Sequence, residues 1–245
     1  IYSNEVRKTF DIAFRADREV MRNVVGSAFP HIERTLALEA GFGSLYWMEG
    51  VTVRARDTRR GNGKLLIISR VNNDLMCNLA AIAELDDSNP SQLQAKFLRY
   101  TSIPGLSIAH PAIIYDQVSD LYWMATNLPR DSTRDWKPMK EKLHVTMFSS
   151  CEIDRSMLYL FHSSNLFDWV PSGPINYHEE FERHFSYPHM LISGDDLLVI
   201  SRATSDFGRG TLIDAFYNNH NSNSVAFHRI QGFRKHSLGH WAKHE

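Results

Sequence analysis

The feature that most constrains this chain is a series of short apolar runs, each of strand length, set apart by tight-turn residues. Leu65 to Arg70, Ala112 to Tyr115, Leu121 to Thr126, Leu143 to Phe148, Met157 to His162, Leu197 to Arg202 and Ser224 to Ile230 are rich in branched, aromatic and aliphatic side chains. Runs this short read as strands. Between them lie Arg60-Gly61-Asn62-Gly63, Asp116 to Asp120 and Ser193-Gly194-Asp195-Asp196. Gly tolerates positive φ there and Asp or Asn side chains bond the nearby backbone, so the expectation is antiparallel hairpins.

The hairpins repeat. Glu49 to Val53 leads through a turn to Leu65 to Arg70, His110 to Tyr115 leads to Leu121 to Asn127, and Tyr187 to Ile192 leads to Leu197 to Arg202. Each unit offers a leading strand, a hairpin, a second strand ending in Arg70, Asn127 or Arg202, and then an outer strand, the construction of a four-stranded propeller blade. The fold class expected is therefore all-β, with residues 1–245 in a single β-propeller domain and about three to four blades visible. In such a ring the leading strands line a central channel, so Glu49, Arg70, His110, Asn127, His189 and Arg202 are expected to face a common pocket.

Composition narrows the function. In 245 residues, 27 basic side chains stand against 28 acidic ones and 43% are hydrophobic, a balance that argues for a globular protein and against nucleic acid or a membrane as partner. Two cysteines, Cys77 and Cys151, make no framework, and one bridge between them is neither required nor excluded. The His236, His240 and His244 spacing lies at a chain end with Gly239 inside it, so no metal or other cofactor is expected.

Several stretches together resemble the sialidase-like β-propeller proteins. They are Trp47 to Val51 with Ile68 to Val71, Ile113 to Asp116 with Leu121 to Asn127, and Phe185 to Arg202 with His220 to Asn223 and Phe227 to Arg234. His162 to Trp169 looks like the Ser-x-Asp-Leu-x-x-Trp hairpin of these propellers, with Asn165 where Asp is usual. The resemblance implies the C-terminal part of a sialidase or glycosidase propeller of five or six blades, with Thr9 to Arg18 as an outer strand of an earlier blade. A missing segment or an oligomer would complete the ring.

The resemblance also implies a glycoside hydrolase acting on an acidic or hydroxyl-rich sugar, and a secreted or periplasmic location. The alternative is a non-catalytic carbohydrate-binding or interaction propeller. Glycosidases ordinarily use two carboxyl groups, sialidases a Tyr nucleophile, and arginines suit an acidic sugar because their planar fork pairs with a carboxylate. Glu49 is the candidate general acid or base; Arg70, Asn127, Tyr187, Arg202 and Asn223 are candidate sugar-binding residues. This chain has Tyr187-Pro188-His189 and His220-Asn221-Ser222-Asn223 where the group as a rule carries an acid, which leaves His189 and His220 as candidate proton carriers. In the last run, Phe227 and Ile230 are expected to be buried and His228 and Arg229 to face solvent, Asp116, Asp195 and Asp196 to serve turns, and Trp169 to pack between blades.

Overall fold

In a computed structural model of the chain, residues 46–56, 63–72, 77–89, 93–106, 108–131, 154–179, 184–204 and 222–238 are described. They form three antiparallel sheets joined in sequence. Sheet 1 runs β1 (Tyr46–Arg54), β2 (Leu65–Asn72), β3 (Leu79–Asp86) and β4 (Gln94–Ser102). Sheet 2 runs β5 (Ala112–Asp116), β6 (Leu121–Asn127), β7 (Met157–Ser163) and β8 (Val170–Tyr177). Sheet 3 comprises β9 (Phe185–Ser193), β10 (Asp196–Ala203) and β11 (Ser224–Ile230), and a 3-10 turn at Phe233–His236 follows. Each sheet is an up-and-down meander, and the leading strand β5 touches both β1 and β9. These are consecutive propeller blades with their first strands side by side. The run Leu143 to Phe148, the stretch Thr9 to Arg18 and Cys151 lie outside the described residues; Cys77 is disulfide-bonded.

Strand period explains the packing, because successive side chains leave opposite faces. On β6, Tyr122 and Met124 join Val53, Leu66, Ile68, Ala80 and Ile82 of sheet 1 in one core cluster. Trp123 and Ala125, one residue out of step, join Met190, Leu197 and Val199 of sheet 3 in another. Sheet 2 is thus apolar on both faces, which is why Leu121 to Thr126 reads as an unbroken apolar run. Trp169 packs against the first cluster, and its indole donates to the Leu166 carbonyl at 3.1 Å. The hairpin at 163–169 is closed by side chains: Ser163 Oγ accepts from the amides of Asn165 and Leu166, and Asn165 Oδ1 from those of Phe167 and Asp168. Asn at this position therefore makes the turn's backbone bonds without a carboxylate.

The last blade corrects one expectation. Val225, Phe227 and Arg229 are exposed, whereas Ala226 and Ile230 pack toward the core, and His228, expected to face solvent, is half-buried with its ring edge-on to Phe185 at 5.6 Å. Phe227 and Ile230 are three residues apart and leave opposite faces of a strand, so both cannot be buried; the inward face of β11 is set by its pairing with β10, exposed Ile200 opposite Phe227 and buried Val199 opposite His228.

After β11 the chain is pinned back onto sheet 2. Phe233 is fully buried and meets the Trp123 ring edge-on at 4.9 Å. Arg234 forks onto Asp116, Nε to Oδ2 at 2.7 Å and Nη2 to Oδ1 at 2.9 Å. Burial pushes the Asp116 carboxyl up, but Arg234 and the Ser119 hydroxyl and amide outweigh it and bring the pKa to about 2. A depressed carboxylate stabilises the folded state above its unfolded pKa and loses that contribution as pH falls through the folded value. Asp116→Asn is therefore expected to lower stability at pH 7 by about 2 kcal/mol and to remove the decline between about pH 4 and pH 2 that this pair contributes, read from urea melts at a series of pH values.

Candidate functional site

Two irregular strands, distant in sequence, aim side chains at one place. In β1 the pairing with β2 shifts register between Trp47 and Gly50, and Glu49 sits in that bulge. Gly50 is required by the close approach of β2: a Cβ there would stand 2.6 Å from Ser69 Oγ and 3.1 Å from Ile67 Cγ2. In β9 the register with β10 shifts between the Ser186 and His189 pairings, and Tyr187 in that interval has φ 51. Bulges re-aim side chains in this way, and a left-handed tyrosine is a strained backbone state of order 1–3 kcal/mol that its surroundings must hold.

Tyr187 Oη donates to Glu49 Oε1 at 3.0 Å, although 138 positions separate the two residues. Arg70 Nε donates to the other oxygen, Glu49 Oε2, at 2.7 Å. Arg70 lies on the inward side of β2, in register with Ala80, and is only 2% exposed. Its Nη1 donates to the Ile108 carbonyl at 2.8 Å and its Nη2 to Met48 Sδ at 3.0 Å. The same Ile108 carbonyl accepts from Arg155 Nη2 at 3.1 Å. Around the Tyr187 ring stand the guanidinium carbons of Arg202 at 4.7 Å and Arg155 at 6.0 Å from its centroid, and the His110 ring stacked at 6.2 Å with 10° between planes. Arg202 Nε also donates to Ser222 Oγ at 3.1 Å.

The electrostatics follow from these neighbours. Partial burial raises the Glu49 carboxyl, but the Arg70 charge and the hydrogen bonds from Arg70 and Tyr187 outweigh it, so the group sits below the usual carboxylate range and is ionised at neutral pH. Burial, then the Glu49 charge, push the Tyr187 phenol up, so it keeps its proton. Burial pushes His110 down despite Glu49 nearby, which leaves it neutral at pH 7. Chemically the arrangement is a phenol hydrogen-bonded to an ionised carboxylate and walled by guanidinium groups. A carboxylate in that state can accept a proton and cannot donate one.

The structure brings Glu49, Arg70, Tyr187 and Arg202 together, with the Glu49 carboxylate and two bulges at the centre. Asn127 is elsewhere in role: it is fully buried, and its amide nitrogen donates to the carbonyls of Arg155, Met157 and Phe185 at 3.1, 3.1 and 2.7 Å, bracing sheet 2 against the start of sheet 3. His189 is exposed on β9 opposite Ile200, on the face that carries Leu191. Asn223 lies just before β11, one residue beyond the Ser222 that receives Arg202. His220 lies outside the described residues. Sequence reasoning missed Arg155, which precedes an apolar run instead of ending one; His110, expected to face the common pocket, stacks on the Tyr187 ring.

No protein-family model matches the sequence, and no curated protein does. Among solved structures the chain is similar to a Trypanosoma rangeli sialidase in complex with sialic acid, with TM-score 0.40 and 11% identity over 78% of this chain and 23% of that one. It is similar also to an exo-β-1,3-galactanase from Clostridium thermocellum, with TM-score 0.40 and 12% identity over 76% of this chain and 32% of that one. A Penicillium chrysogenum α-L-arabinanase complexed with arabinobiose gives TM-score 0.37 and 11% identity over 76% and 43%. The chain therefore spans between about a quarter and under half the length of these structures, and the likeness is a distant one of fold.

Proposed function

We propose that the protein is a glycan-processing hydrolase that acts on an acidic sugar, with Tyr187 as nucleophile and Glu49 as its base. The observation that carries this reading is the hydrogen bond from Tyr187 Oη to an ionised Glu49 that is itself held by buried Arg70. A phenol with a raised pKa is a poor nucleophile alone; a carboxylate 3.0 Å away can take its proton as the oxygen attacks the anomeric carbon. A Tyr nucleophile is an established alternative to the carboxylate pair in glycoside hydrolysis. Arg155 and Arg202, against the phenol ring, are placed to meet a sugar carboxylate, whose charge their forked donors match. Glu49 is then base and not acid, which narrows the role expected of it from sequence.

Aryl glycosides of sialic and uronic acids are the test substrates, because their leaving oxygen needs little protonation. Turnover by the wild-type chain is expected, and absence of turnover on both series would remove the hydrolase reading. A second reading, a pocket that binds an acidic sugar without cutting it, is favoured by one feature: among the described residues of the cluster the carboxylate is Glu49, whose lowered pKa leaves it ionised and without a proton to supply. Saturable binding of the free sugar acids with no turnover of the aryl glycosides would select it.

A further inference from the structure

Glu49 and Tyr187 each sit on an irregular strand, and an irregular segment keeps one geometry only where its surroundings over-determine it. Glu49 has the buried Arg70 guanidinium for that purpose. Tyr187 has a hydrogen bond at its phenol oxygen, which fixes a point and not a plane. The ring needs a wall, and His110 stands where one is wanted.

His110 comes from the second blade and touches both of the others. Its ring lies within 10° of the plane of the Tyr187 ring, with the centroids 6.2 Å apart. It also hydrogen-bonds the backbone of Gly50, the residue that closes the β1 bulge beside Glu49. That bond favours the protonated ring, so the imidazole donates and the Gly50 carbonyl accepts. One side chain thus spans the strand that carries the carboxylate and the ring that carries the phenol.

The backbone beneath His110 is held from several sides. Ile108 and Ala109 are wholly buried and pack on Cys77. The Ile108 carbonyl takes donors from both Arg70 and Arg155, and the Ile108 amide donates to the Gly105 carbonyl at 2.9 Å. Gly105, at φ 73, is seated so tightly on β6 that a Cβ there would stand 1.7 Å from the Asn127 carbonyl oxygen. Pro111 follows His110, and a residue before proline is kept to extended conformations, which limits where the imidazole can project. A site residue on so rigid a support can hold another in place.

We propose that His110 is a positioning residue of this site: its bond to Gly50 orients the imidazole, and the imidazole holds the Tyr187 ring so that the phenol oxygen stays on Glu49. It acts through Tyr187 and takes no part in the proton transfer. Its effect on turnover rests on the hydrolase reading, whereas its effect on Tyr187 rests on geometry alone.

Three substitutions and two readings make the test. On the aryl glycosides, His110→Ala should lower kcat by on the order of 10²-fold, the cost of a displacement of about 1 Å. KM should stay within about threefold, because Arg155 and Arg202 are untouched. His110→Gln, which keeps a donor but no ring, should behave as the alanine variant does. His110→Phe, which keeps the ring plane, should regain at least about tenfold in kcat. The second reading needs no substrate: the phenol of Tyr187 is titrated by NMR of ring-labelled tyrosine, its resonance assigned by its loss in Tyr187→Phe. It should titrate lower in His110→Ala and His110→Gln than in the wild type, because loss of the wall admits water and loosens the contact with Glu49, and close to the wild type in His110→Phe. Where His110→Ala fails to fold, His110→Gln gives both readings. A lowered titration in a chain that turns over no glycoside removes the hydrolase reading and supports His110 as the wall of a binding pocket. A Tyr187 that titrates alike in the wild type and His110→Gln overturns the proposal. So does a kcat left unchanged by a substitution that lowers the unfolding midpoint, or a phenylalanine variant no better than alanine.

Discussion

Tyr187→Phe is expected to lower kcat/KM on aryl glycosides of an acidic sugar by on the order of 10³-fold or more, with the loss in kcat and little change in KM. The substitution removes one oxygen and leaves the ring, so the contacts of His110, Arg155 and Arg202 with it stay in place. Glu49→Gln should fall by a similar factor, since an amide keeps a hydrogen-bond acceptor for the phenol but cannot take its proton. The two together should cost little more than either alone, because base and nucleophile act as a unit. The pH profile carries a sign as well. Glu49 ionises below the usual carboxylate range, so activity should hold through neutral pH and fall only in acid, and the raised phenol keeps the alkaline limit high. Equal turnover by wild type and Tyr187→Phe would remove Tyr187 from the mechanism.

The second large effect is an asymmetry in stability across the Glu49–Arg70 pair. Arg70 is 2% exposed and Glu49 39%, so the two partners do not lose equally when the other is removed. Glu49→Ala leaves a guanidinium in the interior without its carboxylate and is expected to cost about 3 kcal/mol, at the lower end for a broken buried pair because water reaches the Glu49 side. Arg70→Met leaves a carboxylate that water can solvate and an Ile108 carbonyl that still accepts from Arg155, and fills the space with an apolar chain, so it should cost about 1 kcal/mol or less. Urea unfolding midpoints of the two variants measure the difference. An equal loss in both, or a greater one in Arg70→Met, would mean that the guanidinium is not the buried partner.

Much of the fold is legible in sequence where local pattern and tertiary burial agree. Ser224 to Ile230 is a strand over that same span, and β2, β5, β6, β7 and β10 each extend the apolar runs by two residues or fewer. The runs that escape notice are those whose composition argues for something else. Leu79–Asp86 is LAAIAELD, with three alanines and the acidic residues that helices favour, yet it lies between β2 and β4 and is almost wholly buried. Val170–Tyr177 contains Pro171 and Pro174, which a central strand would not accept, and β8 is the edge of sheet 2.

The site is legible to the extent that it sits on strand ends. Glu49, Arg70 and Arg202 could be singled out because each interrupts or ends an apolar run, and the turns of the meander carry them to one place. The bulges at Glu49 and Tyr187 are not readable in this way, because a register shift depends on the partner strand and only pairing reveals it. Asn127 matches Arg70 and Arg202 in sequence position, but its side chain reaches backbone carbonyls first, and a short amide has no length left to cross to the ring of Tyr187.

The whole reading depends on a side chain of the first blade meeting one of the third. A thermodynamic cycle of Glu49→Ala and Tyr187→Phe, measured by unfolding at neutral pH without any substrate, tests that contact directly. A charge-assisted hydrogen bond predicts a coupling energy of at least about 0.5 kcal/mol between the two substitutions, whereas additivity within about 0.3 kcal/mol would place the two residues apart and contradict the convergence of the blades on one site.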